Sequence, residues 1–240
     1  MGVNYNPSVV TSGLVLALDA ANLASYPGTG TAWSDISGRL YNATLFNSPS
    51  YSSANNGVLV LNSASSQYLS VPAGACPSGT SAFTFSHWFN YSSLGNFASN
   101  GIGTYGFILA DGAAQGYLEY AGSAATVTGP ILQLNLQYYG GGQTGTCSVA
   151  VSLSSNTWYN LVLTSTGSAQ TIYVNGVSIG TGTLTSGFPQ TPLNMYGGNP
   201  VGAFSGYMSG SIGSIFSYNR ALSAAAVLQN FNAHRGRYGV

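Results

Sequence analysis

GYMSGSIGSIFSYNRALSAAAVLQNFN, residues 206–232, decides the fold. Ile212, Phe216 and Tyr218 recur at even spacing with small or polar residues between them, which predicts a half-buried strand. Ser223 is placed to cap a helix starting at Ala224, and Leu222 to staple against Val227. Val227, Leu228 and Phe231 give that helix one apolar face. Most of the remaining chain reads as strands, so the helix is expected to lie on a sheet.

Working outward, GLVLALDAAN (13–22) reads as the first strand, closed by Asp19 and Asn22. SYPGTGTAWSDISG (25–38) is punctuated by Pro27, Gly28, Gly30 and Gly38 and reads as turns. GVLVLN (57–62) and QYLSV (67–71) are further strands. AFTFSHWFNY (82–91) sets Phe83, Phe85 and Phe89 on one face and Trp88 on the other, which predicts a central strand. ILQLNLQY (131–138) alternates, so Gln133, Asn135 and Gln137 form a polar stripe. In TIYVNGVSI (171–179), Asn175-Gly176 predicts a two-residue type I′ hairpin turn. Many short strands with glycine-rich turns and one small terminal helix predict an all-β sandwich. The expected organisation is an arm over 1–12, a sandwich over 13–229 and a tail over 230–240.

Composition narrows the function. Of 240 residues, 45% are hydrophobic and 3% charged, and lysine is absent. Ordinary globular chains carry roughly 25% charged residues. With zero formal charge and no basic patch, nucleic-acid binding is disfavoured. Near-zero charge removes long-range repulsion and favours self-association, hence a homo-oligomer or another assembled form. No apolar run is long enough to cross a bilayer. The N-terminus lacks a basic region ahead of its apolar run, so no signal peptide is expected. Cys76 and Cys147 are the two cysteines, either a disulfide or free thiols.

SIGSIFSYNRALSAAAV resembles the closing strand of laminin-G-like domains, within the concanavalin A-like lectin/glucanase superfamily. AFTFSHWFNY resembles that family's aromatic central strand, and residues 156–182 its Trp-strand-turn-strand-Asn-Gly-strand unit. The resemblance implies a jelly-roll sandwich of two antiparallel sheets with one short C-terminal helix. Leu18-Asp19-Ala20, Ser25 to Gly28 and Trp33 to Gly38 resemble the opening of laminin-G-like domains in bacteriophage structural proteins. The ending NFNAHRGRYGV resembles the endings of the same proteins.

Catalysis finds little footing. A glycosidase uses two carboxylates about 5–9 Å apart. This chain has Glu119, Asp19, Asp35 and Asp111, without the glucanase Glu-x-Asp-x-x-Glu strand. His87 lies inside an aromatic strand and reads as packed; His234 reads as a solvated residue near the helix end. No cofactor is expected. Calcium, which the family often binds, would have Asp111 as its candidate ligand, against the simpler reading of a turn aspartate. Asp19 or Asp35 is expected to pair with Arg220, tying the first strand to the last. The sequons at Asn42 and Asn90 read as coincidental.

Tyrosines beside glycines leave a ring face open for a sugar. Tyr105, Tyr138, Tyr139 and Tyr196 are therefore the candidate glycan-binding residues, against the reading that they cover strand ends or line a subunit interface. Through the phage resemblance, the expected function is a non-enzymatic, surface-exposed virion protein: capsid decoration, fibre or tail-associated. Its partners would be further copies or other virion proteins, with glycans as possible ligands. The alternative is a glycan-binding module of a secreted or cell-surface protein.

Overall fold

The computed structural model describes residues 8–75, 81–94, 104–111, 116–122, 132–138, 146–151, 153–183, 193–196, 198–199 and 206–240. These residues form two antiparallel sheets and one α-helix. The first sheet runs β14 (Val177–Thr183), β13 (Ala169–Val174), β12 (Trp158–Ser165), β7 (Phe83–Leu94), β17 (Gly206–Tyr218), β5 (Val58–Leu61), β4 (Ser50–Ser52). β1 (Leu14–Asp19) and β16 (Gly198–Asn199) also pair with β17. The second sheet runs β11 (Thr146–Val151), β10 (Leu132–Tyr138), β9 (Gly116–Gly122), β8 (Thr104–Asp111), β15 (Leu193–Tyr196), β6 (Tyr68–Pro72), β3 (Ala43–Phe46), β2 (Ala32–Trp33). The expected two-sheet sandwich is the observed one.

β7 is central, between β12 and β17. Phe83, Phe85 and Phe89 fill the core between the sheets with Trp33, Leu45, Leu69, Leu163 and Ile215. His87 joins this inner side, 1% exposed and 5.4 Å from the Phe89 ring, so it is packed as expected. Burial drives its pKa down to about 3. Trp88 faces the other way. First and last strands are neighbours, with Leu18 opposite Ile215 and Asp19 opposite Ser214.

The even-spaced face read for β17 does not hold. The register shifts between Ile212 and Ser214, leaving Gly213 as a bulge. Ile212 and Ile215 consequently enter the central core, whereas Phe216 and Tyr218 lie under the helix. One inserted residue moves every later side chain to the other face.

α1 (Ala224–Tyr238) is longer than expected, and residues 230–238 are helix rather than tail. Ser223 caps it by accepting from the Ala226 amide, and Gly239 ends it with φ 71°. Val227 is fully buried beside Leu222, while Leu228 is 45% exposed. Asn, His and Gly in the second half are weak helix formers, and tertiary contacts carry that half. Tyr238 stacks on Trp88 at 4.3 Å and meets Trp158 at 4.5 Å. The described part of the arm docks here as well: Asn230 accepts from the Val10 amide at 2.8 Å and donates to Tyr218 Oη at 2.9 Å.

The predicted ion pair forms with a different arginine. Arg237 donates to the Asp19 carboxylate at 2.6 Å, and also to the Asn55 and Gly57 carbonyls. Arg220 is exposed just beyond β17. Asp35 makes no such pair: its carboxylate accepts from the amides of Ala17, Ser37 and Tyr41 and from the Ser37 hydroxyl. Asp35 therefore closes the free edge of β1, where unpaired backbone would invite foreign strands. His234 is half-buried against the sheet rather than free in solvent at the helix end. It stacks on Phe216 at 5.4 Å, and burial lowers its pKa.

Candidate functional site

The two outer faces of the sandwich differ. α1 covers the middle of the outer face of the nine-stranded sheet, over β7, β12, β13 and β17, through Val227, Phe231 and Tyr238. On the eight-stranded sheet, Ala43 and Leu45 of β3 and Leu69 and Val71 of β6 point into the core. Alternation turns Thr44, Phe46, Tyr68 and Pro72 outward. Thr44 and Pro72 are exposed, Phe46 and Tyr68 are half-buried, and Ser70, between Tyr68 and Pro72 on β6, is buried.

Register carries this outer face across the whole sheet. Ala32, Thr44, Ser70, Met195, Ala110, Tyr117, Gln137 and Thr146 form one continuous cross-strand row. A neighbouring row holds Ile108, Glu119, Asn135 and Ser148. A third holds Tyr105, Ala121, Gln133 and Ala150. The polar stripe of Gln133, Asn135 and Gln137 thus belongs to the outer rows. Leu132 pairs with Val151, which packs on the core, so the leucines of β10 belong to the inner rows.

The four tyrosines singled out from sequence do not share a face. Tyr105 lies in an outer row. Tyr138 pairs with Gly116 and has the parity of Leu132, Leu134 and Leu136. Tyr196 pairs with Leu69, a fully buried core residue, and so occupies an inner row. Tyr139 lies outside the described residues. So does Cys76; Cys147 pairs with Leu136 on β10. Asp111 pairs with Asn194, which in turn pairs with Val71 of the core. Among the described residues no three His, Cys, Asp or Glu side chains gather.

An aromatic cluster that the sequence reading missed stands on the outer face. Phe46 and Tyr68 are opposite one another on β3 and β6, with rings 4.5 Å apart and planes within 3°. Tyr207 follows at 6.2 Å from Tyr68, tilted by 45°. Burial raises the Tyr68 pKa, and Tyr207 adds to the rise. The signal was present in the alternation: buried Ala-x-Leu in ATLF and Leu-x-Val in YLSVP put Phe46 and Tyr68 outside together.

A family model for concanavalin A-like lectin/glucanases matches residues 62–228, more than half of the chain. The chain belongs to the concanavalin A-like lectin/glucanase superfamily. Solved structures of comparable fold include domain 4 of AbnA, an extracellular GH43 arabinanase from Geobacillus stearothermophilus, in complex with arabinotriose. That match has TM-score 0.62 at 16% identity and covers 91% of this chain and 98% of that one. The binding domain of Paraclostridial Mosquitocidal Protein 1 has TM-score 0.64 at 18% identity, covering 92% of this chain and 52% of that one. Trypanosoma rangeli sialidase has TM-score 0.62 at 19% identity, covering 96% and 34%. This lectin-type chain therefore spans about half of the toxin domain and a third of the sialidase. No curated protein sequence matches it.

Proposed function

We propose that this chain is a non-catalytic carbohydrate-binding module whose ligand lies across the outer face of the eight-stranded sheet. The observation that carries the reading is the contrast between the faces. On one, α1 lies over the central strands, whereas on the other the Phe46–Tyr68 stack is only half-buried and no helix of the described residues lies over it, and Gln133, Asn135 and Gln137 fall in the register rows of that same face. Rings for the apolar side of a sugar and amides for its hydroxyls are what such a ligand needs. The arabinotriose complex of the arabinanase domain supports this reading, as does a botulinum neurotoxin binding domain of the same fold in complex with SialylT.

The carboxylates support a binding role over hydrolysis. Asp19 is tied to Arg237, and Asp35 to the edge of β1. Glu119 has Ile108 and Asn135 as row neighbours, and Asp111 has the opposite parity. A paired acid and nucleophile facing one groove is not what this register offers. A glycan array probed with the intact chain tests the reading. Selective retention of a glycan class without its cleavage is expected; hydrolysis of the retained glycan would overturn it.

The setting we propose is the surface of a bacteriophage virion, held there by further copies or other virion proteins. The resemblance of the WSDISG segment to phage proteins supports it, and Asp35 gives that segment a role in closing β1. Antibody against this chain should label capsid or tail in electron micrographs of particles from the source. Label confined to cell surfaces or secreted fractions would replace the virion with a secreted module.

A further inference from the structure

We propose that Phe46, backed by Tyr68 and Tyr207, is a preorganised stacking subsite for a ring of an uncharged polysaccharide. This inference rests on the carbohydrate-binding reading and names both the subsite and the ligand class.

Three observations converge on it. The first is the plate itself. With Tyr68 parallel to it at 4.5 Å, Phe46 has one face occupied and turns the other away towards β2. Ala32 pairs with Thr44 and the Leu45 amide donates to the Thr31 carbonyl, so the next residue along is Phe46 on β3 and, in the bend ahead of β2, Gly30. A methyl group built on Gly30 would meet nothing within 4 Å. Gly30 thus sets no side chain against the β2 side of Phe46, and its φ of +93° disfavours any side chain there.

The second is the bracing of the plate from below. Gln67, 8% exposed, donates to the carbonyls of Asn47 and Ser48 and accepts from the Asn62 amide. Asn47 donates to the Ser66 carbonyl at 2.6 Å. Asn47, Ser48 and Ser66 all hold positive φ, at 60°, 56° and 52°. Left-handed backbone at three non-glycine residues persists when the surroundings over-determine it, and such strain gathers at ligand sites. Here it immediately follows Phe46 and closely precedes Tyr68, and Gln67 is the residue that fixes it. The rings are thus set before the ligand arrives, which spares the ordering cost of binding.

The third is charge. From Leu40 to Asn219, a span containing β3 and every later strand, the sequence has no lysine or arginine. Arg235 lies over Phe231 on α1, and Arg237 is engaged by Asp19. A sialic or uronic acid carboxylate is ordinarily held by charge-assisted donors. The strands that bear this subsite supply none, so stacking and neutral hydrogen bonds select a neutral sugar.

The test is affinity electrophoresis of the intact chain through gels containing arabinan, xylan, dextran or β-glucan, and separately polygalacturonate or polysialic acid. Each gel is run at 50 and 500 mM NaCl. Retardation is expected in at least one neutral gel, with affinity changing by less than about twofold between the two salts. Phe46→Leu keeps an apolar side chain on β3 and removes the ring; it is expected to weaken binding by about tenfold, while Phe46→Tyr retains it. Unchanged affinity in folded Phe46→Leu would overturn the subsite and leave the carbohydrate reading standing. Preference for the acidic polymers, with loss at high salt, would overturn the ligand class. Failure to bind any glycan, here and on the array, would overturn both readings.

Discussion

Arg237, on the last turn of α1, reaches the carboxylate of Asp19, at the end of β1, at 2.6 Å across 218 positions of sequence. Their side chains are only 10% and 19% exposed. The same guanidinium donates to the carbonyls of Asn55 and Gly57, so one side chain joins the helix, the first strand and the turn before β5. A pair this buried leaves a stranded charge when one member is removed. Asp19→Asn or Arg237→Ala is expected to cost about 3 kcal/mol. Urea midpoints would show it, and a change under about 0.5 kcal/mol would reduce the contact to an ordinary surface pair.

Gly213 is the second weight-bearing position. A β-carbon there would sit 1.9 Å from the Tyr238 hydroxyl and 2.6 Å from its ring. That ring is pinned against Trp88 and Trp158 and has little room to retreat. Gly213→Ala should destabilise by about 1–3 kcal/mol through overpacking. Adding Tyr238→Ala should relieve much of that penalty, so the pair will be non-additive in a double-mutant cycle. Simple additivity would mean that the clash is absorbed elsewhere.

Stability should fall on mild acidification. The folded pKa of His87 is depressed to about 3, against about 6.5 for an exposed histidine, and burial also lowers that of His234. Between these values the unfolded chain takes up a proton that the folded chain refuses. The stabilisation is complete above pH ~6.5 and drains away as pH falls, by up to ~1.4 kcal/mol per pH unit for His87, with His234 adding in the same direction. Chemical denaturation at pH 7 and pH 5 measures this, and His87→Gln should flatten the difference. Equal midpoints at both pH values in the parent chain would contradict it.

Chelation should leave the protein unchanged. Asp111 is paired with Asn194 on a row that leads to Val71, and calcium ordinarily takes six to eight oxygens with more than one carboxylate. The melting midpoint and sugar affinity in EDTA should match those in calcium. A drop in either that added calcium restores would make Asp111 a metal ligand.

Local chemistry was legible in the sequence; long-range geometry was not. Asn175 and Gly176 form the expected turn with φ 51° and 78°, because two positive φ values in a two-residue loop select that dipeptide. The Ser223 cap and the Leu222–Val227 contact were equally local. The bulge at Gly213 was hidden, since a regular period-2 reading runs straight through an inserted residue. Arg237 was misplaced as tail because its half of the helix is held by Trp88 and Trp158 rather than by propensity. For the site, tyrosines beside glycines were a composition signal, and parity then separated Tyr105 from Tyr138 and Tyr196. Phe46 and Tyr68 come from different strands and meet only once β3 and β6 are in register.

The central claim is that ligand occupies the outer face of the eight-stranded sheet, opposite α1. Hydrogen–deuterium exchange, with and without a saturating neutral oligosaccharide drawn from the array, measures this directly. Slowed exchange is predicted in residues 30–33, 43–48 and 66–70, with residues 224–238 unchanged. Protection concentrated on the helix, with the β3 and β6 amides unaffected, would contradict it.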